Sequence, residues 1–193
     1  DGTSVTLEGV TDTLSSENEK YASALLDGQS AFLEAQSIYD HPDFYQRRGW
    51  KKEHETRDGF AVYSRPTNRG RMFTISEELD AKASEIMHEM WKTTEEGNAP
   101  IFSTRLLAKL SDNADILKMG SRTSGREMNV VRIYRQLPMS GTGSGFIAAF
   151  RSVDLPDQPI SSDSLMPALH LAAIRLRPDP IKSGHTFREW IVV

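Results

Sequence analysis

After one helical stripe, the hydrophobic period of this chain changes from 3.6 to 2 and, with a single interruption, stays there to the last residue. Three short aromatic and β-branched segments come first: Trp50–His54, Phe60–Ser64 and Arg71–Leu79. They are split by Arg57-Asp58-Gly59 and Asn68-Arg69-Gly70. Gly-containing turns this short join antiparallel neighbours. Six more strand candidates follow at 103–110, 114–120, 128–136, 145–153, 169–177 and 185–193. Turn chemistry separates them at Ser111-Asp112-Asn113, Gly141-Thr142-Gly143-Ser144-Gly145 and Pro178-Asp179-Pro180. Nine strands without a helix between each pair exclude a βαβ enzyme fold and predict an α+β domain. Such a sheet, strongly curved, encloses a cavity once a helix closes it.

Two helices are expected. Ser16-Glu17-Asn18-Glu19 reads as a capping box, and Tyr21, Ala24, Leu25, Phe32, Ala35 and Ile38 then follow at helical spacing. His41-Pro42 marks the end, because a proline disfavours helix in the residue before it. Asp80 is placed to cap the second helix, with Ala83, Ile86, Met87, Met90 and Trp91 on one face, fading at Glu96-Gly97-Asn98-Ala99-Pro100. Residues 1–15 hold few large apolar side chains and read as a flexible tail, leaving 16–193 as one domain.

Composition narrows the chemistry. The 193 residues contain no cysteine, which excludes disulfides, thiolate metal sites and cysteine nucleophiles and suits a reducing, cytoplasmic setting. A net charge of -4 argues against nucleic acid as a partner. No apolar run approaches the roughly eighteen residues of a membrane span. The five histidines, His41, His54, His88, His170 and His185, form no metal-binding spacing, and no serine sits in a Gly-x-Ser-x-Gly elbow. The Gly141–Gly145 run leads into a strand-like segment, Phe146–Phe150, so it is no phosphate cradle. No catalytic residue, cofactor or metal site is read from the chain, and nothing in it signals an oligomeric state.

Arg132 stands out. In Met128-Asn129-Val130-Val131-Arg132-Ile133-Tyr134 the pattern alternates, so Met128, Val130, Arg132 and Tyr134 share one face. Parity leaves open whether that face looks inward. An inward guanidinium would cost several kcal/mol unless paired or hydrated.

Three stretches, in this order and spacing, make the chain resemble a START domain, the lipid transfer module related to the steroidogenic acute regulatory protein. They are Gly49-Trp50-Lys51-Lys52-Glu53 with Gly59, Val62-Tyr63-Ser64, Gly70 and Phe73; Arg126-Glu127-Met128-Asn129-Val130-Val131-Arg132; and Ser152-Val153-Asp154 with Pro156 and Pro159. The opening stretch is most similar to the sterol-binding branch. The resemblance implies a helix-grip fold: a curved nine-stranded antiparallel sheet around a C-terminal helix, with one lipid between them and no catalysis. It implies that Arg132 is the inward arginine of the sterol branch, whose partner is an acid on the preceding strand. That acidic position falls on Met119, so the usual ion pair is expected to be missing. Gly97-Asn98 stands where the family has Trp-Asn, and the chain stops at Val193, where the lid helix would begin.

On that reading the ligand is lined by Leu117, Met119, Met128, Val130, Arg132, Tyr134, Phe146, Leu169, Leu171, Phe187 and Ile191. Glu189 alternates with Phe187 and Ile191 and is the first candidate partner for Arg132, with Asp115 the second. The expected activity is transfer of one lipid, a sterol first, between membranes that the protein touches transiently as a cytoplasmic, peripheral visitor. The alternative is a lipid-sensing module for a fatty acid, bile acid or phospholipid. Burying roughly 400 Å² of sterol at about 25 cal/mol per Å² supplies on the order of 10 kcal/mol before binding costs.

Overall fold

The computed structural model describes residues 2–95, 102–139 and 143–193. The chain opens with β1 (Ser4–Leu7) and β2 (Val10–Thr13), then α1 (Ala22–Asp40) and the short α2 (Pro42–Gln46). A meander follows: β3 (Lys51–Glu55), β4 (Ala61–Thr67) and β5 (Gly70–Leu79). Next is α3 (Ala83–Glu95), and after it β6 (Phe102–Ser111), β7 (Ala114–Ser121), β8 (Glu127–Met139), β9 (Gly143–Val153), β10 (Ala172–Pro178) and β11 (Thr186–Val192). β3 to β11 make one antiparallel nine-stranded sheet in the order β3-β4-β5-β11-β10-β9-β8-β7-β6. The nine expected strands are all present. β11 sits inside the sheet and joins the two meanders by pairing with β5.

The two faces of the sheet are covered by different helices. α1 lies on the face that carries Val131, Ile133, Ile147, Ala149, Ala173 and Ile191, and presents Ala24, Leu25, Ala31, Phe32 and Ala35 to it, all buried. Burying each large apolar side chain is worth about 1.5–3 kcal/mol. Gly28 allows the close approach: a β-carbon there would stand 3.2 Å from Val131 Cγ2. α3 covers the other face through a smaller core of Ala83, Ile86 and Met87 against Phe146, Ala148, Ile174 and Leu176.

Several local expectations are corrected. Ser16–Tyr21 forms a 3₁₀ turn without a side-chain cap, and α1 begins only at Ala22. Glu19 accepts bonds from the Thr3 amide and hydroxyl instead of closing a capping box. α3 begins at Ala83, too late for Asp80 to cap it, and the Asp80 carboxylate lies 3.2 Å from His185 Nε2. The Gly-rich run does not stay a loop: Gly143–Gly145 already belongs to β9, and a side chain at Gly145 would strike the Leu176 carbonyl oxygen at 2.3 Å. Residues 96–100 and 141–142 of the expected helix end and turn, including Gly97-Asn98, lie outside the described residues.

The largest difference is at the N-terminus. Residues 1–15, read as a flexible tail, contain the β1–β2 hairpin, and Val5, Leu7 and Leu14 enter the α1 core. Three small apolar groups would hold a hairpin weakly; a buried ion pair adds to them. Arg135 of β8 donates from Nε to Leu7 O, and from Nη2 to Val10 O and the Asp12 carboxylate. Asp12 also accepts from the Ser111 hydroxyl of β6. The composition signal missed this because the tie is polar. Replacing Asp12 by Ala leaves the Arg135 guanidinium buried without its carboxylate, which costs about 3–5 kcal/mol. Urea unfolding of Asp12→Ala should show that loss; a change under about 1 kcal/mol would mean the hairpin is no part of the folded unit.

Candidate functional site

Between α3 and the sheet lies an apolar cavity of about 190 Å³. Met87, Met90 and Trp91 roof it. Leu117 and Met119 of β7, Val130 and Arg132 of β8, and Ala148 and Phe150 of β9 form the floor, with Ala172 and Ile174 of β10, Trp190 of β11, and Leu169 ahead of β10. Arg132 therefore faces inward, and it is 1% exposed.

A guanidinium in such surroundings needs a counter-charge. Asp115 supplies it: Arg132 Nε donates to Oδ1 at 2.7 Å and Nη2 to Oδ2 at 2.6 Å. This two-pronged match is the strongest arginine–carboxylate geometry. Asp115 is 1% exposed and sits directly opposite Arg132 in the β7–β8 register. Above the pair, the Trp91 ring centroid is 3.6 Å from the Arg132 Cζ, and the Tyr134 ring meets Trp91 edge-on at 4.7 Å. A desolvated cation–π contact is worth about 2 kcal/mol, and an aromatic edge contact about 0.5–1.5 kcal/mol. Among the described residues the arrangement offers a guest an apolar wall and a polar spot where the Arg132 charge is balanced by that of Asp115.

The expected site residues divide into three groups. Leu117, Met119, Val130, Arg132 and Leu169 line the cavity. Met128, Tyr134 and Phe146 share that face of the sheet but lie outside the cavity: Met128 is opposite Met119, and Tyr134 and Phe146 line a cleft on the far side of Trp91. Leu171, Phe187, Glu189 and Ile191 are on the opposite face, which corrects their assignment. Leu171 and Ile191 belong to the α1 core, and Phe187 lies beneath Arg177 at 4.7 Å. Alternation along β11 was read correctly but with the wrong sign. Both faces are covered by a helix, so both are apolar, and an apolar pattern does not tell them apart.

Glu189 goes with that reversal. Its carboxylate accepts from Arg175 Nε and Nη2, both at 3.0 Å, and from Arg177 Nε at 3.3 Å, while Tyr39 donates to its carbonyl at 2.7 Å. Burial, then the Glu189 charge, push the Tyr39 hydroxyl well above its ordinary pKa. Glu189 is therefore not the partner of Arg132; Asp115 is, so the ion pair expected to be missing is present. A countable signal was available: Ser121 and Arg126 close the β7–β8 turn, with Ser121 N donating to Arg126 O at 2.7 Å. Six residues back from Ser121 is Asp115, and six on from Arg126 is Arg132. The spacing puts Met87, Met90 and Trp91 on one helix face but does not assign them to the site, and Trp190 enters it because it alternates with Glu189 and Ile191.

The two charges make a joint prediction for stability. Asp115→Ala should cost about 3–5 kcal/mol by leaving a buried guanidinium unpaired, whereas Asp115→Leu with Arg132→Met should recover most of it. Denaturant unfolding of Asp115→Ala and of the double variant measures this. A double variant as unstable as Asp115→Ala would show that the pair is not a self-contained unit.

Among the described residues no helix is long and apolar enough to cross a membrane, and no group of three or more His, Cys, Asp or Glu is placed to hold a metal ion. The chain is similar in fold to the human StAR-related lipid transfer protein 5, with a TM-score of 0.68 and 12% identity over 89% of this chain and 82% of that one. A STAR-related lipid transfer protein of Xanthomonas axonopodis gives a TM-score of 0.61 at 17% identity, covering 75% of this chain and 81% of that one. In sequence it is 38% identical over 198 residues to the steroidogenic acute regulatory-like protein 1 of Caenorhabditis elegans, covering 98% of this chain and 74% of the relative. The START domain model matches residues 45–191, from the end of α2 into β11, and the chain belongs to the START domain family.

Proposed function

We propose that the chain binds one neutral sterol beneath α3, with its hydroxyl at the Asp115–Arg132 pair, and transfers it between membranes without chemical change. Membership in the START family carries lipid binding as the general activity. The observation that supports a sterol is the compensation of charge. An acidic head group would have to displace the Asp115 carboxylate from a two-pronged bond of 2.6–2.7 Å and would then leave that carboxylate buried and unpaired. A hydroxyl both donates and accepts, so it can join the pair without breaking it. The relative's name, steroidogenic acute regulatory-like, agrees with this choice.

Transfer follows from the energetics of the same site. Apolar burial inside the protein replaces apolar burial in the bilayer, so the exchange is near balance and can run in either direction. Transient contact with a membrane surface is then enough for uptake and release, and no covalent step is needed.

The test is a change of selectivity. Asp115→Asn leaves the shape of the site intact but removes the negative charge, so Arg132 becomes a receptor for carboxylates. Binding of a radiolabelled fatty acid should rise at least tenfold over the unaltered chain, and cholesterol binding should fall. If Asp115→Asn leaves the ratio of fatty acid to cholesterol unchanged, the polar spot does not select the head group.

A further inference from the structure

The cavity beneath α3 is smaller than the guest it is proposed to hold. Ligand sites for drug-sized molecules run from roughly 300 to 1,000 Å³, and this cavity is about 190 Å³. A second space of about 320 Å³ lies on the other flank of α3, lined by Ser84, His88, Lys92, Tyr134 and Phe146. Met87 and Trp91 line both spaces and form the wall between them.

The two spaces are consecutive along the same strands. On β8 the inward row is Val130, Arg132 and Tyr134; the first two line the cavity and the third lines the cleft. On β9 the row runs Phe150, Ala148 and Phe146, divided at the same place. Each step of two residues advances about 6.6 Å along a strand. The floor is thus continuous, and only side chains hanging from α3 interrupt it. Those side chains suit a movable wall. Met87 is unbranched and adapts its shape. Trp91 is half-buried: it packs at the edge of the smaller core and rests on Arg132 and Tyr134 through ring contacts.

We propose that Trp91 is a displaceable partition: the entering guest takes the place of the indole over Arg132, and the cavity and cleft become one tunnel in which Tyr134 and Phe146 receive the guest's far end. Together the two spaces fall within the range of ordinary ligand sites. Trp91 then sets the length of guest the protein accepts. A short neutral alcohol fits with the partition closed, and a four-ring sterol or a long-chain alcohol requires it open. The choice of sterol rests on the reading given above; the partition rests on the geometry alone.

Three guests separate these claims: 2-decalol, which is short, and cholesterol and hexadecanol, which are both long and neutral. Trp91→Ala should raise the affinity for the long guests at least tenfold relative to that for 2-decalol. Ser84→Trp, made on the exposed side of α3, fills the cleft without touching the core; it should weaken the long guests at least tenfold and spare 2-decalol. If hexadecanol follows this pattern and cholesterol binds no variant, the sterol reading fails and the partition stands. If the long guests are indifferent to both substitutions, or if Trp91→Ala binds no long guest at all, the partition is overturned.

Discussion

A guanidinium held away from water must be answered by a negative charge at hydrogen-bonding distance, and much of this site is arranged around meeting that condition once. Arg132 projects into an apolar space, and the β7–β8 hairpin delivers Asp115 to the position directly across from it. The pair removes the charge but keeps the polarity. Among the described residues the other side chains lining the cavity are apolar or aromatic, so the pair is the charged spot at which a guest's polar group can be oriented. On the proposed reading the cavity separates neutral guests from charged ones by electrostatics, while apolar area supplies affinity without discrimination.

The same device is used on the other face for a different purpose. Arg135 lies three residues after Arg132, which puts it on the α1 side, where Asp12 and two backbone carbonyls of the N-terminal hairpin satisfy it. Glu189 with Arg175 and Arg177 forms a third cluster near the end of α1. These clusters fasten peripheral segments to the sheet. Of the three clusters it is the Asp115–Arg132 pair that faces the apolar cavity beneath α3, and the proposed function is placed there. The contrast between the helices follows the same division: α1 sits on an extensive core, whereas α3 rests on a smaller one of Ala83, Ile86 and Met87 against Phe146, Ala148, Ile174 and Leu176.

Much of the fold was legible in the sequence because its signals are local. The change of period marked the strands, and the Gly and Pro turns separated them to within three residues. His41-Pro42 stopped α1 where expected. What could not be read was non-local. No turn specifies that β11 pairs with β5, and the side of the sheet on which Phe187, Glu189 and Ile191 fall depends on that pairing. The hairpin at residues 4–13 was missed because its stabilising contacts come from Arg135 and Ser111, more than ninety residues away. Arg132 was legible as a charge out of place in an apolar strand. Its partner is also within reach by counting through the short β7–β8 turn, whereas the resemblance put the acidic position on Met119.

The account stands or falls on what the cavity holds. Native mass spectrometry of the chain purified gently from sterol-containing cells measures this directly. The account predicts a single bound species per chain with the mass of a sterol, diminished in the Asp115→Asn variant. A phospholipid or a fatty acid at the same stoichiometry, undiminished by that substitution, would contradict it.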